Sequence, residues 1–258
     1  MRRVLLFICV LAFSVYAVSQ ETIKLDVAGV NRKAVLFIPS TITNSTPIVF
    51  CFHGHGGSIE KIIDKMDFPK LWSTAIIVYP QGLRTKVISY DDLGLQTGWQ
   101  IYRGHYNDRD VLFFDCLIDY LKKHFSNDCS NTFVTGFSNG AIFSYVLLAE
   151  RRDSITAIAP IAGFLEPASD RERIEGKPIF HVVGTKDTTV KYERQRTTID
   201  SIISINKCNL ENDSENSKLK KFVSVDGYSL YVYEDNIAHV VPEESIPMII
   251  DFFKSHIK

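Results

Sequence analysis

The sequence predicts an α/β protein whose mostly parallel central sheet is covered on both faces by helices. Three observations predict it. Short, continuous apolar runs at Ile48 to Phe52, Ala75 to Tyr79 and Pro178 to Val183 read as strands buried on both sides. Longer stretches of helical periodicity lie between the strands, and that alternation builds parallel sheets. The composition, 45% hydrophobic and 23% charged over 258 residues, is that of a core-bearing globular chain. The 29 basic and 30 acidic residues leave a formal charge of −1, so there is no uncompensated basic surface for nucleic acid.

The elements follow in order. Arg2 and Arg3 precede an apolar run from Val4 to Val15, and Ala17-Val18-Ser19 supplies small residues for a cleavage site. This order of charge, apolar core and small residues is that of a secretory signal peptide. The rival reading, a membrane anchor, needs about 20 apolar residues, more than the run contains. Residues 1–19 are therefore expected to be removed, leaving 20–258 as a single exported domain with no membrane contact. Thr22 to Val27 and Ala34 to Pro39 form a hairpin around Gly29-Val30-Asn31. Asn107-Asp108-Arg109-Asp110 offers caps for a helix whose apolar face runs Val111, Phe114, Ile118, Leu121, Phe125. Thr132 to Thr135 is a strand, and a sharp turn at Gly136 leads into a helix ending near Arg151. Ile155 to Pro160 is the next strand, Val190 to Ile205 a helix, Phe222 to Val225 and Tyr228 to Glu234 strands, and Glu243 to Lys254 the last helix.

Chemistry enters at Gly136-Phe137-Ser138-Asn139-Gly140, a G-x-S-x-G between strand and helix. Such a turn lifts a serine hydroxyl above the sheet, over a helix N-terminus that favours negative charge. The serine needs a base and an orienting carboxylate, and in this setting both follow it in the chain. Asp187 lies just past the carboxyl end of an apolar strand, the sheet edge where open α/β sheets keep their sites. His239 directly follows the last strand, and about fifty residues separate each member of the trio from the next. Phe52-His53-Gly54-His55-Gly56-Gly57 follows a buried strand and leaves backbone N–H groups for an oxyanion hole, with the amides of Asn139 and His55 as the two donors. His53-x-His55 also reads as a metal pair, but no carboxylate or third histidine lies nearby in sequence. No metal or organic cofactor is implied.

HGHGG at 53–57, YPQG at 79–82, GWQ at 98–100, NDRDV at 107–111, GFSNGA at 136–141, GTKD at 184–187 and HVVP at 239–242 occur in one order. Together they resemble the secreted α/β-hydrolases grouped as polyhydroxybutyrate-depolymerase-like and feruloyl-esterase-like carbohydrate esterases. The resemblance implies an α/β-hydrolase fold without a large lid, a Ser138–Asp187–His239 triad and hydrolysis of carboxylic esters such as feruloyl esters of plant polysaccharides. It further implies that Trp99, Gln100 and Tyr79 shape the acyl pocket; as a residue alone, Trp99 reads equally as packing. The chain departs from the family beside the base, where Ile237-Ala238 and Val241 replace frequent glycines and a tryptophan.

Between the strand at 75–79 and the helix at 111–125, Tyr90, Trp99, Tyr102, His105 and Tyr106 give a loop dense in rings, expected to face Ser138 and to suit an aromatic acid or a sugar. Cys51, Cys116, Cys129 and Cys208 remain after the leader, and spacing alone selects none of their pairings. Cys129 and Cys208, both expected on the edge opposite the site, form the favoured bridge. Asn44-Ser45-Thr46 and Asn212-Asp213-Ser214 are glycosylation sequons. The expected partner is a small-molecule or polysaccharide-linked ester, and the expected state a monomer. Two alternatives stay open: a polyester depolymerase or peptidase on the same fold, and an exported binding protein on an inactive hydrolase scaffold.

Overall fold

The computed structural model describes residues 18–88, 90–165, 173–211 and 217–258. Residues 1–17 of the expected leader and the sequon at Asn212 lie outside the described residues.

In chain order the strands are β1 (Val18–Val27), β2 (Val30–Pro39), β3 (Ile48–Phe52), β4 (Ile76–Pro80), β5 (Leu83–Arg84), β6 (Thr97–Gly98), β7 (Thr132–Phe137), β8 (Ala157–Ile161), β9 (Ile179–Gly184), β10 (Cys208–Leu210), β11 (Leu219–Ser224) and β12 (Leu230–Asp235). The helices are α1 (Ile59–Lys65), α2 (Phe68–Leu71), α3 (Arg109–Phe125), α4 (Asn139–Arg151), α5 (Tyr192–Ile205) and α6 (Ser245–Lys254). Ten strands form one sheet in the order β1-β2-β4-β3-β7-β8-β9-β12-β11-β10, and β5 pairs with β6 apart from it. The six strands from β4 to β12 run parallel, with antiparallel strands at both edges.

Side-chain alternation divides the core in two. Phe50 and Phe52 of β3 face the helices carrying Phe114, Phe143 and Ile199, whereas Val49 and Cys51 face those carrying Ile62, Phe68 and Ile249. This is why the central strands read as unbroken apolar runs.

Four expectations are corrected. The hairpin turn is Ala28-Gly29, both at positive φ (51° and 81°), because Val30 already pairs with Val27. The 107–110 segment does not cap α3 through a side chain. Tyr106, Asn107 and Asp108 instead wind left-handed at φ near 55°, and Asp108 Oδ1 accepts from Gly104 N and Gln100 Nε2, both at 2.7 Å. The strand expected at Phe222 to Val225 starts three residues earlier, spanning Leu219–Ser224. All four cysteines are free. Cys129 immediately precedes β7 and Cys208 opens β10, five strand positions away. At about 4.8 Å per position, that is far beyond the reach of a disulfide.

Candidate active site

Ser138 sits between β7 and α4 with φ 57° and ψ −116°, a conformation that side chains rarely adopt. Two glycines make the turn possible. A Cβ on Gly136 would come within 2.5 Å of the Gly140 carbonyl carbon, and one on Gly140 would strike the Phe52 carbonyl oxygen. The backbone therefore folds tightly enough to raise Ser138 to the mouth of a cavity of about 790 Å3. The Ser138 hydroxyl has no hydrogen-bond partner among the described residues.

Asp187 and His239 are brought together as expected. His239 Nδ1 lies 2.7 Å from Asp187 Oδ2, and the carboxylate is fully buried. Asp187 Oδ1 accepts the backbone N–H groups of Thr189 and Val190, each at 2.9 Å, so the carboxylate closes its own turn while it faces the imidazole. The imidazole packs on Phe137, with ring centroids 4.7 Å apart, next to the serine. No hydrogen bond joins Ser138 to His239 in this structure, and catalytic contacts of this kind often tighten only when substrate binds. Of the residues where the chain departs from the resembled family, Ile237 accepts Lys186 N at 3.0 Å and Val241 packs into the core.

The cavity is lined by both expected oxyanion residues, His55 and Asn139, whose backbone N–H groups lack an acceptor among the described residues. The Asn139 side chain clamps the neighbouring loop, accepting Trp99 N at 2.7 Å and donating to Trp99 O at 3.1 Å. His55 Nε2 lies 3.0 Å from Asp91 Oδ2. His53 is occupied otherwise. Its Nδ1 donates to the Gly54 carbonyl at 2.7 Å and its Nε2 accepts Gly82 N at 3.0 Å, and burial lowers its pKa to about 4. With both ring nitrogens engaged, His53 does not pair with His55 around a metal. No cluster of three metal-ligating side chains forms among the described residues.

The three expected acyl-pocket residues do not line the cavity. Trp99 is completely buried between Phe52 and Phe143, and its indole N–H donates to His53 O at 2.8 Å. Gln100 is equally buried, its Oε1 accepting the N–H groups of Asp110 and Val111 at the start of α3. Tyr79 points to the opposite core, donating to Met66 O. Each carries a polar atom that burial obliges to find a backbone partner, and that demand takes it away from the pocket. The remaining rings of the loop behave as expected: Tyr90, Tyr102, His105 and Tyr106 all line the cavity with Ser138. Opposite them stands an apolar wall of Ile101, Ile142, Phe164 and Val190, which sequence reasoning missed because these residues come from four separate segments.

The mostly parallel sheet with a strained serine at the strand-to-helix turn gives the chain the α/β-hydrolase fold. Curated proteins similar to it in sequence include an acetylxylan esterase/xylanase and feruloyl esterases. It is 27% identical over 173 residues to the bifunctional acetylxylan esterase/xylanase XynS20E of Neocallimastix patriciarum, covering 64% of this chain and 23% of that protein. It is 27% identical over 149 residues to feruloyl esterase D of Neurospora crassa, covering 55% of this chain and 49% of the relative. The chain thus spans less than half the length of either protein. Among solved structures, an acetyl xylan esterase from Aspergillus awamori superposes with a TM-score of 0.68 at 15% identity, covering 91% of this chain and 99% of the other. No protein-family model matches the chain.

Proposed function

We propose that the protein is a serine esterase that hydrolyses carboxylic esters, with feruloyl or related acyl esters of plant polysaccharides as its substrates. The observation that carries this reading is the 2.7 Å pairing of His239 with the buried Asp187 carboxylate, near a strained Ser138 that lines a ring-bearing cavity. In the proposed reaction His239 Nε2 takes the Ser138 proton as the serine oxygen attacks the ester carbonyl. Asp187 holds the imidazole in the tautomer that this transfer requires. The amides of His55 and Asn139 receive the developing oxyanion, a contribution of about 3–4 kcal/mol per donor. The alcohol departs with the proton, and water then hydrolyses the acyl-enzyme through the same base.

The cavity supports an aromatic acyl group. Tyrosine and histidine rings together with the apolar side chains of Ile101, Ile142, Phe164 and Val190 line a cavity of about 790 Å3, offering flat apolar area with hydrogen-bonding tips. Export after removal of residues 1–19 and action as a monomer belong to the same proposal. Among the described residues no helix is long and apolar enough to cross a membrane.

A second reading, polyester hydrolysis, is favoured by one observation. Ile88, Leu93 and Leu95 are 76%, 80% and 60% exposed on the loop bordering the cavity, where they could meet an apolar polymer surface. Rates on methyl ferulate, acetylated xylan, p-nitrophenyl acetate and hydroxybutyrate oligomers separate the two. Ferulate preference supports the first reading, oligomer preference replaces it with the second, and inactivity on all four rejects both.

A further inference from the structure

Behind Asp187 lies a file of buried polar side chains for which the triad alone gives no reason. Gln195 of α5 has no exposed surface, and its Nε2 donates to Asp187 Oδ2 at 3.1 Å and to Val190 O at 2.6 Å. A carboxylate and a carbonyl can only accept, so these two bonds fix which end of the amide faces Asp187. Gln195 Oε1 and His181 Nε2 of β9 are both buried and neither makes a hydrogen bond in this structure, although the two side chains lie close enough to influence each other. The far side of that imidazole, Nδ1, lies 2.8 Å from the Tyr145 hydroxyl of α4. In the tautomer that carries the proton on Nε2, the Tyr145 O–H donates to Nδ1 and Nε2–H faces the amide oxygen. In that tautomer the donors of Tyr145, His181 and Gln195 all point toward the carboxylate that faces His239.

We infer that Gln195 is a positioning residue of the triad, holding Asp187 Oδ2 in line with His239 Nδ1, and that His181 and Tyr145 keep its amide from flipping. This rests on the reading of Asp187 as the triad carboxylate. Three elements that frame the site, α4, β9 and α5, each contribute one member. The carboxylate is thus referenced to the sheet and both adjoining helices as well as to its own turn. Without Gln195 the Oδ2 atom would keep only the imidazole as its partner, and the carboxylate could rotate about the two amides held by Oδ1. Displacements of this kind reduce turnover by on the order of 10- to 100-fold while leaving substrate binding intact.

The test compares wild type, Gln195→Met and Tyr145→Phe on one ester, with and without Asp187→Ala. Gln195→Met keeps the volume of the side chain and removes its hydrogen bonds. The expected result is a kcat lower by about 10-fold or more with KM within about twofold, a smaller kcat loss in Tyr145→Phe, and no further loss when Gln195→Met is added to Asp187→Ala. The downfield proton resonance of the His239 Nδ1–H should broaden or move in Gln195→Met, a readout that a purely structural role would leave alone. Unchanged kcat and an unchanged resonance in Gln195→Met would overturn the inference. So would an equal further loss in the Asp187→Ala background, which would mark the glutamine as general scaffolding. Full activity in Asp187→Ala itself would instead refute the triad. Should Gln195→Met fail to fold, the Tyr145→Phe kinetics and resonance decide alone, and wild-type values for both would overturn the inference.

Discussion

Arg32 of β2 and Asp110 of α3 meet in a 2.8 Å ion pair from which water is excluded, their side chains only 1% and 0% exposed. Asp110 also accepts Gln100 N at 2.8 Å, and Arg32 stacks over Phe113 at 4.2 Å. The pair ties the sheet edge to the helix that begins just behind the ring-bearing wall of the cavity. Burial pulls the guanidinium below its ordinary pKa, and Asp110 opposes that pull. Arg32→Met should therefore destabilise the protein, by at most about 3–5 kcal/mol, the usual consequence of unpairing a buried charge, because Asp110 keeps only a longer 3.6 Å contact with Arg109. Urea unfolding measures this, and a loss below about 1 kcal/mol would contradict it.

The triad gives the second prediction. Ser138→Ala should abolish esterase activity and leave the unfolding midpoint at or above that of wild type, because it removes one hydroxyl from a strained turn. His239→Ala and Asp187→Asn should each lower kcat by orders of magnitude, and combining them should add little, since the three groups act as a unit. Substantial activity in any of the three would remove that residue from the mechanism.

The third concerns the cavity wall. Tyr102→Ala and Tyr106→Ala should lower kcat/KM for methyl ferulate by about 10-fold, the scale of one lost ring contact, and affect p-nitrophenyl acetate less. Trp99→Ala should act on stability instead, by about 3–5 kcal/mol, because that ring is enclosed by Phe52, Phe143 and His53. A ferulate-specific defect in Trp99→Ala without destabilisation would place the ring in the pocket after all.

Acid should destabilise the fold through two histidines. Burial lowers His53 and His181 to about 4 from an ordinary 6.5. Between those values the unfolded chain binds more protons than the folded one, so stability is full above 6.5, falls as pH drops and levels off near 4. The difference amounts to roughly 3 kcal/mol per imidazole. Urea midpoints taken from about pH 7 to about pH 5 should decline before most carboxylates titrate, and a flat profile there would contradict the prediction.

The architecture and the placing of Ser138, Asp187 and His239 at strand ends were legible in the sequence for one physical reason. Strand burial on both faces leaves unbroken apolar runs, and Ser138, Asp187 and His239 each fall where such a run ends. The wall of the cavity was legible only in part: the rings of Tyr90, Tyr102, His105 and Tyr106 line it as expected, and the rest does not follow the sequence. Trp99, Gln100 and Tyr79 have the chemistry of pocket residues, and only packing shows that their polar atoms are taken up by His53 O, by the first amides of α3 and by Met66 O. Gln195 was missed in the opposite sense. It lies eight residues after Asp187, where a glutamine on a helix reads as solvated surface, and its burial depends on how α5 packs on β9. The left-handed run at Tyr106-Asn107-Asp108 was likewise read as an ordinary cap, because Asn and Asp favour both conformations.

On the proposed esterase reading, that run has a consequence for how the protein diversifies. Tyr106 and its neighbours are carried on a short strained segment fastened from behind by Asp108, Gln100 and Asp110, while the reacting groups stand at the ends of β7, β9 and β12. Taste for a substrate and ability to cleave it are thus written in separate stretches of the chain. Substitutions among the rings can change which acid is accepted while the hydrolytic machinery is inherited intact, provided that the fastening beneath them is spared.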